Sequence, residues 1–410
     1  MFLPIIIWLS ASFLQFCFAA PSVSLISNSL LDANGIFFVS FDGVVNVNSF
    51  QLSAVLTHSS YQFAAWYTSS GTVVLGRRLL PSGGWSTLQL PHQISTSDSH
   101  NVIVLGVSPA DGKIHVAMDC HSSTMFYTSS EAGLATNGAS WVASRFGTIV
   151  TTLGTLNIGT CVSQSLSFFR RGSDFPQNPR TITYPQFVVT PDNLLQFVYR
   201  TGVSGNGATQ LAEYNGGVWS NVGSWASASG TYTSTNGVTS SARNLYIHGF
   251  TYGLNRLHVT GTWREQVGGV SCSSGGLTNH DTVYFYSDDK ADRIAHGFAF
   301  HLYRSSDGTF TKFEIPFPIN AVGRSQIVLD SADNVYVVLP FVRIVTASKS
   351  SGWTDWTLAF DGVAAGLNAF GEVTVDRARV VSGVLSVLYQ VKSTGTTPSA
   401  VHLIDFNLNG

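Results

Sequence analysis

Short apolar runs, each broken after a few residues by Gly, Asp, Asn, Ser or Pro, recur along most of this chain. Gly35–Phe41, Tyr61–Tyr67, Thr72–Leu79, Trp85–Leu90, Gln186–Thr190, Leu194–Arg200, Ala208–Tyr214, Leu257–Trp263, Thr282–Tyr286, Phe298–Tyr303, Gln326–Asp330, Val335–Pro340 and Val384–Gln390 all have the composition and length of strands. Asn101–Val107 and Lys113–Met118 flank Ser108-Pro-Ala-Asp-Gly112, whose Pro, Asp and Gly close a short hairpin. No long stretch keeps the helical period, so the predicted fold class is all-β.

Turns of one kind lead into several of these strands. Asp111-Gly-Lys-Ile-His-Val, Asp192-Asn-Leu-Leu-Gln-Phe, Leu254-Asn-Arg-Leu-His-Val and Asp333-Asn-Val-Tyr-Val-Val start 81, 62 and 79 residues apart. Such spacings exceed a hairpin and suit one or more four-stranded blades with insertions, and Ser305-Ser-Asp-Gly-Thr-Phe310 resembles a degenerate Asp-box turn. At ~40–50 residues per blade, the chain has room for roughly seven, a seven-bladed β-propeller. A sandwich array or a β-helix is the competing architecture.

The 101–118 hairpin carries His100 just before its first strand and His121 just after its second, so antiparallel pairing brings both imidazoles to the same end. Propellers bind ligands where inner strands and their loops converge. Residues at comparable points are Tyr184, Arg200, Tyr246, Arg264 and the run Asn279-His280-Asp281. His115 and His258 fall inside strands and are expected in the core.

Composition narrows the partners. Of 410 residues 44% are apolar and 11% charged, the net charge is -2, and no Lys/Arg cluster occurs, which argues against nucleic acid and anionic membranes. Met1–Ala19 reads as a signal peptide, with an apolar run ending in small residues, although it lacks a basic start. The expectation is therefore a secreted, soluble, monomeric protein with one catalytic domain over residues 20–410. Cleavage removes Cys17 and leaves Cys120, Cys161 and Cys272, so at most one intramolecular disulfide can form.

Taken in order, Ser97-Asp-Ser-His-Asn101, the Asp111 turn, Asp119-Cys-His121, Tyr184-Pro, Tyr199-Arg-x-Gly-x-Ser-Gly-Asn-Gly207, Leu257-His-Val with Trp263-Arg264, and Asn279-His-Asp281 resemble the BNR-repeat propeller polysaccharide lyases. That group includes ulvan lyases and L-rhamnose-α-1,4-D-glucuronate lyases. The resemblance implies a propeller that cleaves the bond to O4 of a uronic acid by β-elimination. Such chemistry needs a base for the C5 proton, an acid for the departing O4 and a cation for the uronate carboxylate. The resemblance gives His100, Tyr184 and Arg200 the catalytic places. His100 is first choice for base or acid, Tyr184 is the second proton carrier, and Arg200, with Arg264, offers a fork that matches a carboxylate. His121, Tyr246, Asn279 and His280 are placed around the sugar.

No cofactor is required for elimination, and a structural Ca²⁺ or Zn²⁺ is left open. His248, His258, Cys272 and His280 are of zinc-ligand type, but their spacing matches no standard site and no ligand is assigned. The partner is a uronate-containing plant or algal polysaccharide. Low charge favours exo-cleavage of a terminal rhamnose from glucuronate, as on gum arabic or arabinogalactan-type side chains, over a polysulfated polymer. The alternatives are an ulvan lyase and a rhamnosidase hydrolysing the same bond. A sialidase fits poorly because no early Arg-Ile-Pro is present, and a lectin-like propeller because His100, Tyr184 and Arg200 each occur in a different context.

Overall fold

The structure is a computed structural model, and it describes residues 20–40, 43–48, 53–119, 121, 123–153, 156–157, 182–203, 206–228, 232–233, 239–240, 245–253, 256–265, 278–287, 295–298, 302–304, 310–312 and 324–409. The segment 1–19 and Cys120, Cys161 and Cys272 lie outside this set, as does most of the Asp-box-like run at 305–309.

Five four-stranded antiparallel sheets and one three-stranded sheet are present among the described residues. The first comprises Val55–His58, Tyr61–Tyr67, Thr72–Leu79 and Ser86–Gln93; the second Ile103–Val107, Ile114–Asp119 and Met125–Ser129; the third Ile182–Val189, Leu195–Val203, Asn206–Asn215 and Val218–Ala226. The fourth comprises Leu245–Gly253, Arg256–Glu265, Thr278–Ser287 and Ala295–Phe298. After the pair Leu302–Arg304 and Phe310–Lys312 come Gln326–Leu329, Val335–Leu339, Arg343–Ala347 and Trp356–Asp361. In the last sheet Thr374–Asp376, Val384–Gln390 and Ser399–Asn409 are completed by the N-terminal Ser22–Gly35.

These sheets stand as blades, in a propeller-like order. The first strand of the last sheet lies beside that of the first, which touches that of the second; contacts continue to the first strands of the third and fourth. All four Asp/Asn-type turns seen in the sequence fall between the first and second strands of a sheet. The repeat therefore marks the inner hairpin of the blade.

Apolar packing runs between sheets. One cluster joins Phe63, Tyr67 and Leu75 to Ile103, Val116 and Met118, and another joins Val104 and Ala117 to Phe187, Phe197 and Trp219. At Gly106 a Cβ would come 2.6 Å from the Phe187 ring, so only glycine lets the third sheet approach the second this closely.

Closure between the last and first sheets is polar and buried. Asp376 accepts from Thr57 N (3.1 Å), Thr57 Oγ1 (2.6 Å) and Gln62 Nε2 (2.7 Å). Asp405 lies between Arg78 Nη2 (2.6 Å) and Arg379 Nη1 (2.8 Å), all three side chains being nearly inaccessible. Asp405 is thus ion-paired with both guanidinium groups and Asp376 is hydrogen-bonded, as burial in a low dielectric demands.

Several strand boundaries differ from those read in the sequence. Gly35–Phe41 is not one strand: the long N-terminal strand ends at Gly35, and Phe37 turns inward to 2% exposure. Ser22–Asn34 itself is a strand that no apolar alternation announced, because it is the outer edge, with Leu25, Ile26 and Leu30 exposed. The strand predicted from Asn101 begins at Ile103, since the Asn101 side chain is used to hold neighbouring loops.

Candidate active site

The end of the molecule at which the first strands begin collects the polar chemistry. His100 precedes the first strand of the second sheet and His121 follows its second strand, so the hairpin brings them together as the pairing requires. Their rings stack with centroids 4.3 Å apart at 26°.

Two anchors hold the loops that present them. Asp119 closes its strand in the left-handed region (φ 64°), and its buried carboxylate accepts from Tyr67 Oη (2.8 Å), Ser95 N (3.1 Å) and Ser95 Oγ (2.6 Å), with His92 Nε2 at 3.1 Å. Asn101 Oδ1 accepts from His121 N (2.7 Å) and Ser123 Oγ (3.0 Å), while its Nδ2 donates to Thr96 Oγ1 (2.5 Å). The loop before His100 and the turn before His121 are thus tied to each other through buried side chains.

Asp98 lies between the two histidines. Its Oδ1 is 2.6 Å from His100 Nδ1 and accepts from His100 N (2.9 Å); its Oδ2 is 2.5 Å from His121 Nδ1. Burial would raise the Asp98 pKa, but the hydrogen bonds from His100 and His121 outweigh it and hold the carboxyl well below the usual carboxylate range. Burial lowers the pKa of His100; the Asp98 hydrogen bond opposes this, and the His121 ring and the Arg324 guanidinium reinforce it. The balance favours the neutral form of the His100 imidazole.

Tyr184 approaches from the third sheet. Thr183 pairs with Arg200, the register then shifts before Gln186, and Tyr184 within that bulge takes φ 56°. A non-glycine residue in this region costs on the order of 1–3 kcal/mol, and such bulges re-aim side chains. Here the phenol ring stands 6.0 Å from each imidazole and 5.4 Å from the ring of Tyr246.

Arg200 is 5% exposed, donates from Nη1 to Thr183 Oγ1 (3.2 Å), and places Cζ 5.0 Å over the Tyr246 ring. With Tyr184, Gln186, Thr209 and Ile247 it lines a small cavity. Its neighbour Tyr199 is buried within the aromatic core at 5.5 Å from Phe197. Gly207 makes room for Arg200: a Cβ there would stand 2.6 Å from Nη2 and 2.5 Å from the Thr201 carbonyl.

The structure therefore brings together His100, His121, Tyr184, Arg200 and Tyr246. Arg264, Asn279 and His280 lie at the same end of the fourth sheet by backbone register, with Arg264 opposite Asn279 and Trp263 opposite His280. Their side chains, and that of His248, are outside the described residues. His115 is fully buried, as read from the sequence, whereas His258 is only partly buried, so its expected core placement is half met.

Two participants were not singled out from the sequence. Asp98 lies within the quoted Ser97–Asn101 motif, and a carboxylate two residues before a histidine was the available signal. Arg324, just before the strand Gln326–Leu329, is anchored by Glu372 Oε1 through both its backbone N (2.8 Å) and Nη1 (3.0 Å). Asp98, His100 and His121 each offer one ligand-type atom within 4.8 Å of the others. Both Nδ1 atoms are engaged by Asp98 at hydrogen-bond distance, so the trio is a hydrogen-bonded cluster and is assigned no ion.

Residues 61–343 match the family model described as "BNR repeat-containing family member". Among curated relatives, the long isoform of ulvan lyase from Pseudoalteromonas sp. (strain PLSV) is 30% identical over 185 residues, which is 40% of this chain and 18% of that protein. The short isoform from Alteromonas sp. (strain LOR) is 26% identical over 264 residues, 50% of this chain and 49% of that one. The chain thus spans under a fifth of the long relatives and about half of the short one. The crystal structure of polysaccharide lyase Uly1 superposes with a TM-score of 0.67 at 16% identity, covering 94% of this chain and all of the other.

Proposed function

This chain belongs to the BNR repeat-containing family, and we propose that it is a polysaccharide lyase that breaks the bond between L-rhamnose and O4 of D-glucuronate by β-elimination. The observation that carries this reading is the convergence of a carboxylate-backed imidazole, a phenol and a buried guanidinium at one mouth. Ulvan lyases among the relatives support the reaction class.

In this reading Arg200 binds the uronate carboxylate and stabilises the enediolate that develops when the C5 proton leaves. His100 takes that proton on Nε2, the ring nitrogen opposite the one bonded to Asp98. The electron pair of the C5–H bond forms C4=C5 as the C4–O4 bond breaks, and Tyr184 gives its phenolic proton to O4. Exchange through solvent returns a proton to Tyr184 and removes one from His100. His121, Tyr246, Arg264, Asn279 and His280 orient the sugars. Neither a nucleophile nor a hydrolytic water takes part.

The same reading takes the propeller to have seven blades, six being the sheets described and one built around the pair Leu302–Arg304 and Phe310–Lys312, and takes Met1–Ala19 to direct export. Two polymers present the linkage. The scarcity of charge favours a terminal rhamnose on gum arabic-type side chains; the named activity of the relatives favours ulvan.

The deciding experiment follows ultraviolet absorbance of the conjugated C4=C5 bond while purified protein acts on gum arabic and on ulvan, with rhamnose quantified in parallel. Absorbance with equimolar rhamnose from gum arabic supports exo-elimination there, and absorbance on ulvan alone moves the substrate to that polymer. Rhamnose without absorbance replaces the lyase by a hydrolase.

A further inference from the structure

We propose that Asp98 is the positioning residue of this site, one carboxylate that fixes the tautomer and orientation of both His100 and His121. The proposal rests on the lyase reading for its kinetic consequences, but its structural half stands apart from any substrate.

The geometry is that of a shared second partner. Each carboxylate oxygen of Asp98 meets one Nδ1, at 2.6 Å for His100 and 2.5 Å for His121, and a backbone N–H of His100 adds a third contact at 2.9 Å. An ionised carboxylate only accepts, so each Nδ1 must carry hydrogen. A neutral ring protonated on Nδ1 has its lone pair on Nε2, on the side of the imidazole away from Asp98. The two rings stack at 4.3 Å and the Tyr184 ring stands 6.0 Å from both. The two rings so held stand as a pair beside the phenol.

Charge follows from the same count. One carboxylate compensates one added proton on the pair; a second would set two imidazolium rings 4.3 Å apart. Among the described residues, the groups facing His100 include Asp98, His121, Tyr184 and Arg324, and those facing His121 include Asp98, His100 and Tyr184. Arg324 is itself held by Glu372. Asp98 is the carboxylate bonded to both rings, so its charge bears on how readily His100 holds a proton. The anchoring of the same loop by Asp119 through Ser95 keeps the carboxylate where both rings can reach it.

The test uses the full-length protein and its Asp98→Asn and Asp98→Ala variants. Nitrogen-15 spectra of histidine-labelled protein at neutral pH are expected to show both rings with hydrogen on Nδ1, each proton at low field through its carboxylate bond. In Asp98→Asn these low-field protons disappear, kcat falls by on the order of 10²–10⁴-fold, the range known for carboxylates that fix a histidine tautomer, KM changes little, and the acidic limb of kcat/KM moves to lower pH. Asp98→Ala repeats the loss without restoring the limb.

Hydrogen on Nε2 in the wild-type spectra overturns the proposal even if the variants do not fold. So does an Asp98→Asn enzyme that keeps its kcat and its acidic limb. Should neither polymer be cleaved, the lyase reading fails by itself, and the nitrogen-15 spectra still decide whether Asp98 fixes both rings.

Discussion

The guanidinium of Arg200, which lines the small cavity, lies 5.0 Å over the ring of Tyr246 and so joins the third and fourth sheets. The ring supports the cation from one side while Thr183 Oγ1 accepts from Nη1. A planar fork held this way is not replaced by an ammonium. Arg200→Lys is therefore expected to reduce kcat/KM by about 10²-fold or more, as loss of a stabilising donor does, with melting temperature little changed. Gly207→Ala, which would push a methyl within 2.6 Å of Nη2, should reproduce part of that loss although residue 207 touches no substrate. Steady-state kinetics beside thermal melts checks both.

His100→Ala should abolish nearly all turnover while changing stability by about a kcal/mol or less. Tyr184→Phe keeps the ring contacts with His100, His121 and Tyr246 and removes only the hydroxyl, so it should lower kcat with the fold intact. Because burial lowers the His100 pKa below its ordinary value of 6.5, the base is neutral through the neutral range, and activity should fall only as pH drops below that value. A kcat/KM profile whose acidic limb lies above pH 6.5 contradicts this assignment.

Closure of the ring depends on Asp405. Asp405→Ala removes the buried carboxylate that both Arg78 and Arg379 bond. Breaking such a buried pair costs about 3–5 kcal/mol, which should appear as a lower denaturant midpoint at unchanged or reduced m-value. Asp405→Asn, which keeps the shape, should cost less.

Acid sensitivity has a second source far from the site. His115 is fully buried, its Nδ1 2.6 Å from Tyr127 Oη, which also accepts from Trp219 Nε1 (3.3 Å), and burial pushes its pKa down to about 3. Between pH 6.5 and about 3 the unfolded chain binds a proton at this residue that the folded chain refuses. Stability present above pH 6.5 is thus lost as pH falls, by roughly 1.4 kcal/mol per pH unit within the window. His115→Phe should lower stability at neutral pH, since Tyr127 loses its partner, and flatten the acid dependence by about one proton. Chemical denaturation at several pH values measures the slope.

Much of this site was legible because strand pairing is a local rule. The hairpin around Ser108–Gly112 puts His100 and His121 at one end whatever surrounds it, and the four Asp/Asn turns mark inner hairpins because a blade must turn tightly there. The outer strand Ser22–Gly35 was not legible: its partner Ser399–Asn409 is nearly the whole chain away, and an exposed edge imposes no apolar alternation. Asp98 was visible as a residue but not as a partner of two rings.

The sequence by itself determined an all-β chain of repeated inner hairpins, with histidines, a tyrosine and arginines at strand ends, because alternation and turn chemistry act over a few residues. Only the tertiary structure decided that the Arg200 guanidinium comes to lie over the Tyr246 ring, that a bulge at Tyr184 turns its phenol toward both imidazoles, and that Arg324 stands near His100. Those outcomes depend on register shifts and on packing between sheets distant in sequence, and neither leaves a periodic signal in the chain.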